Sequence, residues 1–233
     1  MSLSHKTVDD MRTFLQPRKH FDPEQRMKFY DSWAATYEQD SEVMNYRAPH
    51  LVVDSLNANY SGNREEVQVL DVACGSGLAA KLMFEVGFRN FVGVDGSKGM
   101  LEQAEKTGLY QDLRLALLGT EPLPAQPGSF DVVVIIGALR DGFVPVSTVR
   151  ELCLAAKPGG YVCMSRLDTN CESGNKYKAS MESELQLMED EGLWTHVLSQ
   201  NISKYMIDVY NGSEDVQNEE YLSGAIYLYR RSS

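Results

Sequence analysis

The chain has 233 residues, 43% hydrophobic and 24% charged, the balance of an ordinary globular protein with a full core. A net charge of −11 without a basic stripe weighs against nucleic acid as a partner, since Arg12, Arg18, Lys19, Arg26 and Lys28 are interleaved with acids. No apolar run approaches the ~20 residues of a membrane span, and the first residues lack a secretory core, so one domain (residues 1–233) in the cytoplasm, or also the nucleus, is expected.

Residues 1 to about 28 are polar and read as a loose tail with a short amphipathic helix. In residues 29–40, FYDSWAATYEQD, the side chains Phe29, Trp33, Ala34 and Tyr37 share one face at helical spacing. Residues 49–56 suggest another helix and 57–66 a loop. Residues 1–60 are thus expected to form a helical cap. From Val67 onward strands and helices alternate. Strand VQVLDVA leads to a helix over 78–86 stopped by Gly87. Strand FVGVD precedes Ser97, an N-cap for a helix over 99–106 that Gly108 stops. A third strand is expected over 113–118, followed by the Pro-rich EPLPAQPG. Residues 130–136 are almost wholly apolar, as a central parallel strand should be. A helix over 147–157 breaks at KPGG before a strand over 161–165. The last quarter predicts a helix over 177–191, a strand over 194–209 and a strand over 225–230. The link between these two strands, 210–224, is too polar for a crossover helix, so they should pair antiparallel. Cys153 and Cys163 fall on apolar faces, and no cysteine or histidine pair has metal spacing, so reduced thiols and no metal are expected.

The stretch Val69 to Gly77, VLDVACGSG, and the later Phe91 to Ser97, FVGVDGS, carry the chemistry. Two apolar runs end at Asp71 and Asp95, which in a parallel sheet lie side by side on the ligand edge. Gly75 and Gly77 let the backbone approach a ligand, and Asp95, 20 positions beyond Gly75, can accept from a ribose diol. A competing reading has Asp-Gly-Ser as a turn capping the next helix. Residues 75–80 also pass for the dinucleotide pattern GxGxxA, but a strand ending in Asp71 is foreign to it. The combination apolar-Asp-apolar-x-Cys-Gly-x-Gly resembles motif I of class I S-adenosylmethionine-dependent methyltransferases, and the resemblance runs from about Tyr30 to Arg230.

That resemblance implies an α/β, Rossmann-like class I methyltransferase fold: a seven-stranded, mostly parallel sheet of order 3-2-1-4-5-7-6, its last strand antiparallel, with helices on both faces. It implies S-adenosylmethionine as cofactor and S-adenosylhomocysteine as product. Asp95 and Gly96 would hold the ribose, and Met100 would offer adenine a soft face. Leu118, Gly119 and Thr120 would line the adenine slot, with Gly119 standing where relatives place an aspartate. Ala73, Cys74 and Gly75 would underlie the methionine end, with carbonyls near Ala73 and at Ile136 and Gly137 accepting from its ammonium. Tyr30 and Tyr37 would cover it, as the YDxxAxxY segment does in the family, with Trp33 the weaker third.

Methyl transfer needs alignment more than acid–base groups, and no acid–base pair stands out. The acceptor side is expected from the N-terminal helix, residues 136–145 (IGALRDGFVP) and the insert after the fifth strand. His50, Arg140, Asp141, Arg166 and His196 are the polar candidates, each with a solvated surface role as its competing reading. A small molecule or a protein is the expected acceptor of a monomeric enzyme. A cofactor-binding interaction protein is the alternative, and a nicotinamide-dependent oxidoreductase the distant third.

Overall fold

The computed structural model describes residues 6–16, 21–169, 171–210 and 220–233. Helix α1 (Val8–Leu15) and helix α2 (Pro23–Trp33) each begin with a capping box, on Thr7 and Asp22. The predicted helix over 29–40 is interrupted: α2 ends at Trp33, Ala34–Thr36 forms a 3₁₀ turn, and α3 (Tyr37–Val43) follows. Asp40 supplies the reason. Its buried carboxylate accepts from the Trp33 indole at 2.7 Å, the Thr36 hydroxyl at 2.9 Å and Lys6 at 2.5 Å, and so draws the three helices around one point. Helix α4 (Ala48–Asn59) packs on the sheet with Ala48, Val52 and Leu56 wholly buried. Residues 48–59 are therefore a layer of the main body, where a cap was expected. Of the expected tail, residues 1–5 and 17–20 lie outside the described residues, and so do 211–219 of the final link.

The strands β1 (Gln68–Val72), β2 (Asn90–Asp95), β3 (Tyr110–Leu115), β4 (Phe130–Leu139), β5 (Ala156–Leu167), β6 (Trp194–Ile207) and β7 (Tyr221–Arg231) form one sheet of order β3-β2-β1-β4-β5-β7-β6. Strands β1 to β5 pair in parallel, whereas β7 is antiparallel to both β5 and β6. The expected fold is the observed one. Helix α5 (Leu78–Glu85) connects β1 to β2 and α6 (Lys98–Lys106) connects β2 to β3. Helix α7 (Thr148–Ala155) precedes β5, and α8 (Glu172–Asp190) precedes β6.

Three boundaries differ from expectation. The third strand lies earlier, at Tyr110–Leu115, and residues 116–118 already belong to the loop. The KPGG segment does not end a helix but bulges out of β5, with Ala156 opposite Phe130 and Tyr161 opposite Val132. Helix α8 starts at Glu172, inside the predicted loop, because the Cys171 side chain accepts from the Gly174 amide. Side chains alternate across the sheet into two cores. Leu70, Val133 and Met164 face α7 and α8, while Val69, Val132 and Cys163 face α4, Met11 and Trp33.

Candidate active site

The ends of β1, β2 and β4 turn beneath a single cavity of about 500 Å³. After β1 the chain reverses through Ala73 (φ 53°) and Gly75 (φ 56°), both left-handed, and the Cys74 amide bonds the Val94 carbonyl at 3.0 Å. The turn is thereby fastened to the end of β2. Asp95 closes the same corner: its carboxylate accepts the Gly75 amide and the Ser97 amide, each at 2.8 Å. Burial pushes its pKa up, against the backbone donors that pull it down. The carboxylate, which has about four acceptor positions, retains capacity beyond these bonds, and Asp95 lines the cavity. The turn-capping role and the ligand-facing position coexist in one residue.

Asp71 has a different place. It is 2% exposed, is absent from the cavity wall and accepts the Tyr110 hydroxyl at 2.7 Å. Burial pushes its carboxyl up to about 7. Asp71 is thus a buried brace between β1 and β3.

Every candidate cofactor residue except Cys74 lines the cavity: Tyr30, Tyr37, Ala73, Gly75, Asp95, Gly96, Met100, Leu118, Gly119, Thr120, Ile136 and Gly137. Cys74 is buried behind the turn, and burial holds its thiol well above the ordinary range. The adenine end is tighter than its sequence suggests. Gly119 has φ 90°, and a side chain there would meet the Pro145 ring 2.6 Å away, so an aspartate cannot occupy the position. The Thr120 hydroxyl donates to the Leu117 carbonyl at 2.7 Å and keeps only its acceptor capacity. Gly137, with φ 73°, likewise has no room for a side chain: a Cβ would lie 2.1 Å from the Tyr46 hydroxyl. The Gly137 amide donates to Ser165 Oγ at 3.0 Å, which in turn pairs with the Tyr205 hydroxyl at 2.8 Å. Burial raises the phenols of Tyr46 and Tyr205, so this floor is neutral.

The roof is α2. Tyr30 stacks on Trp33 with ring centroids 5.6 Å apart, and Trp33 meets Tyr37 edge-on at 4.9 Å. Trp33 itself is buried behind the tyrosines and does not reach the cavity. At the far end of α2, Asp31 accepts the Ser97 hydroxyl at 2.6 Å and the Gly99 amide at 2.9 Å, capping α6 from outside. Glu38 pairs with Lys81 at 2.7 Å. These polar ties add to the aromatic face through which the helix was expected to join the body.

Among the polar candidates, Arg140 and Asp141 line the cavity. His50 and His196 are exposed elsewhere. Arg166 is buried in an ion-pair group with Asp168 and Glu182. Phe143, in the expected 136–145 stretch, lines the cavity, and sequence reasoning did not single out Arg26, Met27, Tyr46 or Tyr177, which line it too. Arg26 and Met27 sit in the mixed-charge stretch that read as a loose tail with a short amphipathic helix, where Met27 and Tyr30 share a face at i, i+3.

A seven-stranded 3-2-1-4-5-7-6 sheet with a glycine turn and an acidic strand end under one cavity defines a class I methyltransferase architecture. The methyltransferase-domain family profile matches residues 63–212, and the chain belongs to that family. It is an S-adenosylmethionine-dependent methyltransferase. It is 48% identical over 171 residues to human Methyltransferase-like protein 27, covering 73% of this chain and 68% of that protein. The Ubiquinone biosynthesis O-methyltransferase of Idiomarina loihiensis is 30% identical over 163 residues, covering 67% of this chain and 65% of the enzyme. Among solved structures, a chain from the complex of the Haloferax volcanii Trm112 methyltransferase activator and its methyltransferase superposes with a TM-score of 0.63 at 18% identity, over 88% of this chain and 96% of that one. A methyltransferase from Thermotoga maritima gives 0.56 at 18% identity, over 87% and 98%. Among the described residues no helix is long and apolar enough to cross a membrane, and no cluster of metal-ligating side chains occurs.

Proposed function

We propose that the cavity binds S-adenosylmethionine and a small-molecule acceptor side by side. Asp95 would take the ribose diol on its remaining lone pairs, Leu118 and Met100 would flank the adenine, and the Ala73–Gly75 turn with Gly137 would receive the methionine end. The donor set fits the group: a carboxylate already held by two amides, left-handed backbone with no side chain in the way, and apolar walls. Bound there, the cofactor supplies a methyl already activated by its sulfonium. The residues' task is then to align the acceptor and keep water out.

The observation that carries the small-molecule reading is the size and lining of the site. Arg26, Met27 and Tyr30 of α2 roof it, Phe143 and Tyr177 also line it, and its volume is in the range of small-ligand pockets, about 300–1,000 Å³. The name of the 30%-identical relative, an O-methyltransferase, supports oxygen as the accepting atom. The methyl would then move from sulfur to a hydroxyl oxygen, which gives its proton to solvent. Incubating the protein with methyl-labelled cofactor and a cell extract separated into small-molecule and protein fractions tests this. Label should enter the small-molecule fraction. Label confined to protein would overturn the reading.

A further inference from the structure

The acceptor side of the cavity holds two guanidinium groups on one ring. The Arg140 guanidinium carbon lies 3.7 Å and that of Arg26 4.4 Å from the centroid of Phe143. Both arginines line the cavity, and Arg26 is only 7% exposed. The Nε of each is buried without a hydrogen-bond partner among the described residues. Among the described residues Arg26 Nη2 donates to the Phe21 carbonyl at 2.8 Å and Arg140 Nη1 to the Tyr210 hydroxyl at 3.3 Å. A guanidinium has five N–H donors, so most find no partner among these residues.

The charge around them is unbalanced. No described carboxylate lies in ion-pair range of either arginine, although Arg150 has Glu184 and Glu191, and buried Arg166 has Asp168 and Glu182. Asp22 and Asp141 are the acids whose charge acts on Arg26. The first is occupied with the Gln25 amide at 2.8 Å, and the second is exposed. Burial and the neighbouring Arg140 both push the Arg26 pKa down. Two partly desolvated like charges with no ion-pair partner among the described residues cost free energy that an entering anion would recover. Stacking on Phe143 fixes the guanidinium planes, and a carboxylate matches the fork of a fixed guanidinium better than a neutral amide does.

We propose that Arg26 and Arg140 form an anion-binding subsite that selects a small-molecule acceptor bearing a carboxylate, beside an apolar body packed on Phe143 and Tyr177. The inference rests on the cofactor reading above and extends it to the acceptor. One other carboxylate could reach the pair, the methionine end of the cofactor itself, and the experiment separates the two.

Affinity for S-adenosylhomocysteine is measured first, in the wild type and in Arg26→Gln and Arg140→Gln. Phenylacetate and phenylacetamide, acid and amide of one size, are then titrated into each protein loaded with S-adenosylhomocysteine. Wild type should bind the acid at least about tenfold more tightly than the amide, a difference of ~1.4 kcal/mol. Each Gln variant should lose that preference while keeping amide affinity and S-adenosylhomocysteine affinity, the latter showing that it is folded. Arg26→Lys and Arg140→Lys should retain part of the preference. Equal binding of acid and amide by wild type, or no acid binding at millimolar concentration, overturns the subsite. A loss of S-adenosylhomocysteine affinity in the variants that 5′-methylthioadenosine, which lacks the amino-acid end, does not share would assign the arginines to the cofactor and also overturn it. Failure of wild type to bind S-adenosylhomocysteine would bring down the cofactor reading and the subsite with it.

Discussion

At the scale of single residues, two carboxylates at neighbouring strand ends have opposite tasks. Asp95 braces the turn through the Gly75 and Ser97 amides and still faces the cavity. Asp95→Ala should therefore weaken S-adenosylhomocysteine binding by about two orders of magnitude, through loss of two charge-assisted hydrogen bonds worth roughly 1.5–3 kcal/mol each. It should also lower the stability of the ligand-free protein, because two amides lose their acceptor. Calorimetric titration and urea unfolding separate the effects, and unchanged affinity with lowered stability would reduce Asp95 to a brace. Asp71 is legible as a strand end but not as a buried acid, because its partner Tyr110 comes from a strand two positions away in the sheet. Its pKa, pushed up to about 7 by burial, lies above that of the unfolded chain, so the folded state holds its proton longer. Its contribution is complete below about pH 4 and fades as pH rises toward 7, a loss on the order of 4 kcal/mol for three pH units. Asp71→Asn should remove that slope. Urea midpoints at both ends of this window, compared with wild type, check it, and an unaltered slope in the variant would refute it.

At the scale of elements, the N-terminal helices decide how the cavity opens. Residues 1–60 were expected as one helical cap, which as a lid would move whole, yet α2 is pinned at its end by Asp31 on α6, and Trp33 is held by Asp40. The first turns of α2 place Pro23, Arg26, Met27 and Tyr30 over the cavity. Amide exchange with and without S-adenosylhomocysteine should show protection rising most in residues 21–30, a common use of a hinged cover. Little change should appear in 31–43 or in the strands around Val69 and Val132. Equal rises across 21–43 would restore the whole-lid picture, and no rise at all would make the roof a fixed wall. The same elements show what a sequence can carry. The central strands were readable because a strand buried on both faces must be almost wholly apolar, as 130–136 is but for Asp131. The third strand was placed three residues late because Tyr110–Leu115 is a sheet edge whose exposed Gln111 and Asp112 break any apolar run. The break at Ala34–Thr36 depends on Asp40 gathering donors from α2 and Lys6, which no local periodicity encodes. The cavity residues next to motif I were readable from its spacing. Phe143 lay in the expected 136–145 stretch, but Arg26 was not readable, since its meeting with Phe143 is purely tertiary.

At the scale of the whole molecule, the cavity is a junction. Its wall draws on α2, the ends of β1, β2 and β4, the loop after β3, the 140–146 loop and Tyr177 of α8, segments spread across most of the chain. None of these parts is a site without the others, so unfolding any of them abolishes binding, and a ligand of the native state stabilises all of them together. S-adenosylhomocysteine at 100 times its dissociation constant should add about 2.7 kcal/mol. For a domain of this size that corresponds to a rise in Tm of about 5–10 °C. NAD should give no comparable shift, because a dinucleotide needs a second mononucleotide-binding half beyond β4, where this sheet instead turns antiparallel at β7. A thermal scan of the ligand-free protein with each compound in turn decides the matter. A single transition moved upward by S-adenosylhomocysteine alone is the expected result. Equal shifts with both ligands, or a shift with NAD alone, would contradict the assignment of this cavity to the methyl donor.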